Sequence, residues 1–371
     1  MIPVFNPDFG EEEIAAVVGA LRRGEISGSF GKSIQEFEDS FAAYCGCQYG
    51  VAVTSGSTAL HLAVAALDLP KDSEILMNAS TNIATGLAAF HNSAVPVGVD
   101  SETVTWNLDL DLIEELITPA TRAIVPVHLF GHPVDMDRLC TIATNHGLHV
   151  IEDCAEAHGA SCRGRIVGSF GHMGCFSFYA NKLITTGEGG MVVTNDGAMA
   201  DRLRLLRNLG FTKPRFRHEV AGYNFRLTAY QAAMGVVQVK KLPHVVEAKR
   251  RMAARYKQVL DGIPGLQLPA EANWAKHVYW MYGILVYPEF GMTRDDFAAR
   301  LAQRGVETRT FFCPMNSQPC FESMPNFRAL PTPVADMLWR CGMYLPSSHT
   351  LTNDQIEFIG NTIADIHRNG V

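Results

Sequence analysis

Through its first three-fifths the chain alternates short apolar runs with amphipathic stretches, and this alternation restricts the fold more than any other feature. Strand followed by helix, repeated, predicts a mostly parallel sheet covered by helices on both faces. Strand candidates lie at residues 49–53, 74–77, 95–99, 123–127, 149–152, 174–178 and 191–194. Helical stretches separate most of them, as at 58–67, 110–117 and 135–145. An earlier helix begins at Ser33, where Ser33 would cap and Glu36 complete a capping box, with Ile34, Phe37 and Phe41 at helical spacing.

After Thr228 the pattern changes. Residues 229–260 are rich in Ala, Val, Gln, Lys and Arg, with one break at Leu242-Pro243-His244. Proline removes a helical hydrogen bond, so the segment reads as two helices or one kinked helix. It leads into a second domain with a strand at 278–286, a helix at 293–304 and a closing helix at 353–367 capped by Asn353. A chain of 371 residues exceeds what one hydrophobic core usually organises. The expected division is a large domain, 1–245, and a smaller one, 246–371.

Hydrophobic residues at 47 % and charged residues at 19 % fit a soluble globular protein without long disorder. No apolar run is long enough to span a bilayer, and residues 1–7 lack the basic and apolar regions of a signal peptide. A cytoplasmic protein with no membrane partner is expected. A net charge of −7 gives no general attraction for nucleic acid. None of the nine cysteines forms a C-x-x-C pair, so no metal is expected and the thiols read as reduced and mostly buried.

The strongest chemical signal is a strand ending in Ser177-Phe178-Tyr179-Ala180-Asn181-Lys182, followed by Thr186-Gly187-Glu188-Gly189-Gly190. Taken alone, a loop lysine is an ordinary solvated charge. Here no other charge stands between Phe170 and Glu188. Apolar surroundings disfavour the ammonium form, which makes the amine nucleophilic near neutral pH, as a Schiff-base lysine requires.

A second signal is Ile151-Glu152-Asp153-Cys154-Ala155-Glu156, where a buried strand delivers two carboxylates at its C-terminal end. Strand alternation puts Glu152 and Asp153 on opposite faces, so at most one enters a site. A buried carboxylate needs a cationic or hydrogen-bonding partner, and a protonated pyridine nitrogen is one. The plain alternative is a carboxylate capping the next turn. A third signal is Thr54-Ser55-Gly56-Ser57-Thr58, a small-residue turn entering a helix, whose free N–H groups and hydroxyls suit a phosphate. Ser and Thr there are also ordinary caps.

With these strings, and with Pro126-Val127-His128-Leu129-Phe130-Gly131 and Gly222-Tyr223-Asn224-Phe225-Arg226-Leu227-Thr228, the sequence resembles the DegT/StrS-type sugar-nucleotide aminotransferases nearly end to end. The resemblance implies a fold-type I enzyme: a large, mostly parallel seven-stranded α/β domain plus a smaller α+β C-terminal domain. It implies pyridoxal 5'-phosphate as cofactor, linked to Lys182, which also moves the proton during transamination. Asp153 would face the pyridine nitrogen and Glu156, at a position often occupied by Gln, would lie near the ring hydroxyl. Gly56 belongs to the same phosphate turn, and Ser57, Thr58 and Ser177 would hold the phosphate. Asn224 would reach the phosphate from a partner subunit, giving a homodimer with shared active sites. His277 and Arg309 are candidate substrate contacts, with a structural role an equal reading for His277. Asn82 stands where relatives usually carry an aromatic that stacks on the ring, so the pocket is more polar or another group covers it. The implied substrates are a nucleotide-linked keto sugar and glutamate, which leaves as 2-oxoglutarate. A dehydratase of this scaffold carries His in place of the lysine, so Lys182 favours amino transfer over that rival. The same scaffold would also suit a cyclitol or aminobenzoate-type substrate, or a non-catalytic regulator.

Overall fold

The computed structural model describes residues 1–369 except 30, 215 and 325. Seven strands form one sheet: β1 (Tyr49–Val53), β2 (Glu74–Asn78), β3 (Val95–Val99), β4 (Thr121–Val125), β5 (His149–Asp153), β6 (Met173–Ser177) and β7 (Gly190–Thr194). Their order is β1-β7-β6-β5-β4-β2-β3. Only β7 runs against the rest, pairing antiparallel with β1 and β6. The mostly parallel sheet expected from the alternation is therefore present.

Side-chain alternation divides the sheet into two faces. Val51, Val53, Met77, Val125, Ile151, Cys175 and Val192 share one core with Leu60, Leu62 and Ala63 of the helix Gly56–Leu67. On the opposite face, Leu76, Ile124 and Val150 meet Leu139 and Ile142 of the helix Met136–Asn145, while Ala52, Phe176 and Met191 meet Phe37 and Phe41 of the helix Ser33–Cys45. A fully buried leucine such as Leu62 contributes about 2 kcal/mol. The chain can thus hold the strand ends, where chemistry is placed, on a rigid support.

The helix Ala229–Leu260 runs unbroken through Pro243. Of the two readings of this segment, the single helix is the one formed. Its first half packs Ala232, Val239 and Leu242 into the core beneath the large sheet; its second half packs Met252, Tyr256 and Leu260 into a separate core. That second core also takes Phe297 and Leu301 from the helix Arg294–Gln303 and Ile356, Ile359 and Ile363 from the helix Asn353–Asn369. It underlies an antiparallel sheet of β8 (Leu266–Gln267), β9 (Tyr282–Val286), β10 (Arg309–Thr310) and β11 (Gly342–Leu345), in the order β8-β9-β11-β10. Among the described residues no helix is long and apolar enough to cross a membrane.

Several local expectations are corrected. Ser33 is buried and its hydroxyl donates to Glu25 instead of capping its own helix, while Glu36 pairs with Lys32 at 2.7 Å. The closing helix is capped by Thr352, not Asn353: Thr352 Oγ1 accepts from Gln355 N at 3.2 Å, and Gln355 Oε1 accepts from Thr352 N at 3.0 Å. Residues 110–117 form a 3-10 turn and a four-residue helix, Ile113–Leu116, because Thr118 precedes Pro119 and cannot continue it. The strand expected at 278–286 begins only at Tyr282, since Tyr279 has φ +49° and breaks the extended run.

Candidate active site

A cavity of about 280 Å³ opens at the C-terminal ends of β5 and β6, beside the start of the helix Gly56–Leu67. Its walls bring together Gly56, Ser57, Asp153, Glu156, Ser177 and Lys182, with Asn82 at one side. Four separate stretches of sequence meet here because parallel strands deliver their following loops to one edge of the sheet.

Period-two alternation separates the neighbouring carboxylates as expected. Asp153 lies on the cavity face: its Oδ2 accepts from Thr85 Oγ1 at 2.8 Å and its Oδ1 from Ala155 N at 3.1 Å. Burial pushes its pKa up, against the pull of those two donors. No ion pair reaches Asp153 among the described residues. Glu152 faces the other way and is fully buried, accepting from Gly168 N (2.7 Å), Phe170 N (2.7 Å) and Gly171 N (2.8 Å). His128 Nδ1 accepts from Val134 N at 3.0 Å, so its Nε2 carries the proton and faces Glu152 at 3.3 Å. Cys154 is close to this pair, but the hydrogen bonds already made use the lone pairs a metal would need.

Lys182 sits in a loop folded back onto β6, where Phe178 N donates to Gly189 O at 2.8 Å and Thr186 N to Phe178 O at 3.0 Å. Burial lowers the pKa of its amine, with Glu156 and Asp153 pulling the other way. The desolvated lysine anticipated from the charge-free neighbourhood is thus realised. Glu156 Oε2 accepts from Phe130 N at 2.7 Å, and burial raises its pKa. Phe130 stands at φ +51°, which aims its N–H at that carboxylate.

Ser55 caps the helix Gly56–Leu67: its Oγ accepts from Thr58 N at 3.1 Å, and Thr58 Oγ1 accepts from Ser55 N at 2.9 Å. Thr58 is therefore engaged in the cap and does not line the cavity, whereas Gly56 and Ser57 do. A Cβ on Gly56 would stand 2.6 Å from Ser177 Cβ, so only glycine lets the helix start press against the end of β6. Asn82 Oδ1 caps the next helix, Ile83–His91, through Ala84 N at 3.0 Å. The remaining candidates lie off the cavity. Asn224 is exposed and bridges to Asn208; Arg309 is exposed and pairs with Glu307 at 2.7 Å. His277 is buried, accepts from Tyr279 N at 3.1 Å and stands 5.3 Å from the His132 ring.

Trp280, Glu188, Tyr344 and Phe312 also line the cavity, and none of them stands out as a site residue in the sequence. Glu188 lies in the glycine-rich string after Lys182, where its position offers a signal. The other three come from the C-terminal third and carry no local signal.

The sequence matches the DegT/DnrJ/EryC1/StrS aminotransferase family over residues 7–364. The chain belongs to this family. GDP-perosamine synthase of Escherichia coli O157:H7 is 38 % identical over 368 residues, which cover 99 % of this chain and 98 % of that protein. The dTDP-3-amino-3,4,6-trideoxy-alpha-D-glucose transaminase of Streptomyces venezuelae is 39 % identical over 325 residues, 86 % of this chain and 84 % of that protein. The solved structure of S. venezuelae DesV has a TM-score of 0.89 at 36 % identity, covering 96 % of this chain and 95 % of that one.

As a member of this family the chain is a pyridoxal-phosphate-dependent aminotransferase, and the cavity fits that cofactor. A buried carboxylate with only neutral donors is suited to a protonated ring nitrogen. A buried amine with its proton weakly held is suited to an aldehyde. The capped helix start and the Ser177 hydroxyl are suited to a phosphate.

Proposed function

We propose that this aminotransferase moves the amino group of glutamate to C4 of GDP-4-keto-6-deoxymannose, giving GDP-perosamine and 2-oxoglutarate. The observation that carries this reading is the end-to-end similarity to a GDP-perosamine synthase, joined to a cavity that keeps the lysine and the buried aspartate. An amino sugar of this kind fits a supply role for cell-surface polysaccharide such as O-antigen. All nine cysteines are free thiols, which fits a reducing compartment, and the reaction is assigned to the cytoplasm.

Pyridoxal phosphate, when bound, supplies the electron sink that makes the carbon beside the transferred nitrogen acidic. The chain's own residues do the rest. Lys182 Nζ takes a proton from the donor's carbon and returns one to the sugar carbon. Asp153, oriented by Thr85 and Ala155, would face the ring nitrogen and favour its protonated form. Glu156 would lie near the ring hydroxyl, and Gly56, Ser57 and Ser177 would hold the phosphate. Thr58 supports the phosphate group indirectly, as the residue that fixes the helix start. Asn224, on the exposed surface, is assigned to the active site of a partner subunit in a homodimer. The large and small units are taken to divide within the long helix, at residue 245; Val246 is its last residue in the first core and Met252 its first in the second.

Asp153→Asn keeps the shape and an acceptor oxygen but removes the charge, so turnover is expected to fall about 10²-fold with the folded state little affected. Steady-state kinetics beside a thermal melt would check this. The substrate is tested by offering purified enzyme, with glutamate, a panel of GDP-, UDP- and dTDP-linked keto sugars and weighing the products by mass spectrometry. Amination of the GDP-linked 4-keto sugar at C4 is the expected outcome. Preference for a dTDP-linked 3-keto sugar, or loss of oxygen without gain of nitrogen, would replace the reading.

A further inference from the structure

We propose that Trp280 is a positioning residue that receives the Lys182 ammonium on its indole face and sets how tightly that amine holds its proton, with Lys249 anchoring Trp280 in place.

Lys182 Nζ lies 3.8 Å from the centroid of the Trp280 ring, well inside the range of a cation–π contact. Both side chains are buried, at 9 % and 4 % exposure. Among the described residues Lys182 Nζ makes no hydrogen bond or ion pair, so the indole face is the nearest compensation for its charge. The contact is built from several sides. Trp280 Nε1 donates to Asn181 O at 2.8 Å, which ties the ring to the residue just before the lysine. Phe130 stacks alongside at 6.4 Å and 19°. Trp280 O accepts from Lys249 Nζ at 2.9 Å, and the same nitrogen donates to Ser347 O; burial lowers the Lys249 pKa to about 7.

Lys249 is only 2 % exposed and lies on the long helix, far along the chain from the reactive loop. A buried lysine is costly to retain, and here it clamps two backbone carbonyls, one of them on the residue that carries the indole. Gly131, at φ +98°, completes the seat: a Cβ there would stand 2.7 Å from Val278 Cγ2 and push the 278–280 segment away from the turn.

The electrostatic setting makes the contact consequential. Lys182 faces Asp153 from β5, Glu156 and His158 from the turn after β5, and Glu188 from its own loop; Tyr179 and, from β11, Tyr344 also line the cavity. Burial drives the His158 pKa down to about 3, so it adds no positive charge at neutral pH. Burial likewise lowers the affinity of Lys182 for its proton, and the carboxylates oppose that. The indole quadrupole acts in the same sense as the carboxylates but is tied to one position of Nζ. It gives the amine a fixed resting place when it is not joined to the cofactor.

The test uses the full chain freed of cofactor. The rate of Lys182 acylation by a small amine-selective reagent is followed against pH by peptide mass mapping. Trp280→Leu should lower the midpoint by about one pH unit, Trp280→Phe by less, and Lys249→Met should move it in the same direction. An unchanged midpoint in folded Trp280→Leu would overturn the proposal. A second measurement needs no change at Trp280. The tryptophan emission of the native sequence should carry a pH-dependent component with the same midpoint, absent in Lys182→Met; identical profiles in the two would sink the idea. Because the readout is an amine in cofactor-free protein, its failure would leave the assignment of the sugar substrate untouched.

Discussion

Lys182→Ala is expected to lower amino transfer by about 10⁴-fold, the upper end of what a positioned acid–base group contributes, and to leave the protein folded. Among the described residues Lys182 is the only amine on the cavity wall. Its loss removes both the attachment point for the aldehyde and the group that shuttles the proton. The alanine variant should lose the visible band given by the linked cofactor, and no bleaching should follow addition of glutamate. Stability should hold because the loop is secured by backbone bonds at Phe178 and Thr186 and by Thr185 N to Gln238 Oε1 at 3.1 Å, none of which involves the amine. Borohydride trapping of the native enzyme should place the adduct on the tryptic peptide carrying Lys182. Retention of turnover by the alanine variant, or an adduct on another peptide, would remove the lysine from its assigned role.

One residue before the aspartate, Glu152→Ala should do the opposite: it should unfold the protein more readily without directly removing a reacting group. Three backbone N–H groups, on Gly168, Phe170 and Gly171, lose their acceptor, and the His128 proton is left facing a cavity. A buried donor left unsatisfied costs about 1–3 kcal/mol, so the variant should lose about 4 kcal/mol or more. That is a large share of an ordinary folding free energy of about 5–15 kcal/mol. Urea titration followed by circular dichroism would measure the loss, and a midpoint close to that of the native protein would show that water replaces the carboxylate. Adjacent acids with opposite failures, activity at Asp153 and stability at Glu152, give a sharp test of which face of β5 the cavity occupies.

Much of the site is legible in the sequence because its parts are local. Lys182 stands out by the absence of charge around it, and the following Gly-rich turn explains how a loop can return to the sheet. The split between Glu152 and Asp153 needs only the two-residue period of a strand. Capping is less legible. Ser33 has the residue type and spacing of a cap, yet a buried carboxylate eight residues earlier competes for its hydroxyl and wins. Thr58 offers a hydroxyl suited to a phosphate and instead spends it on the cap that organises the helix start.

The order of apolar runs and the period of their side chains determined, from the sequence alone, the mostly parallel sheet, its two faces, the strand end that carries Asp153 and the strand whose following loop carries Lys182. These follow from backbone geometry and short-range patterning, which are written into consecutive residues. Only the tertiary structure decided that Trp280 lies over Lys182, that Thr85 holds Asp153 and that Lys249 reaches Trp280 from the long helix. Those contacts join residues tens of positions apart, and no local pattern records which distant side chain will arrive once the chain has folded around the cavity.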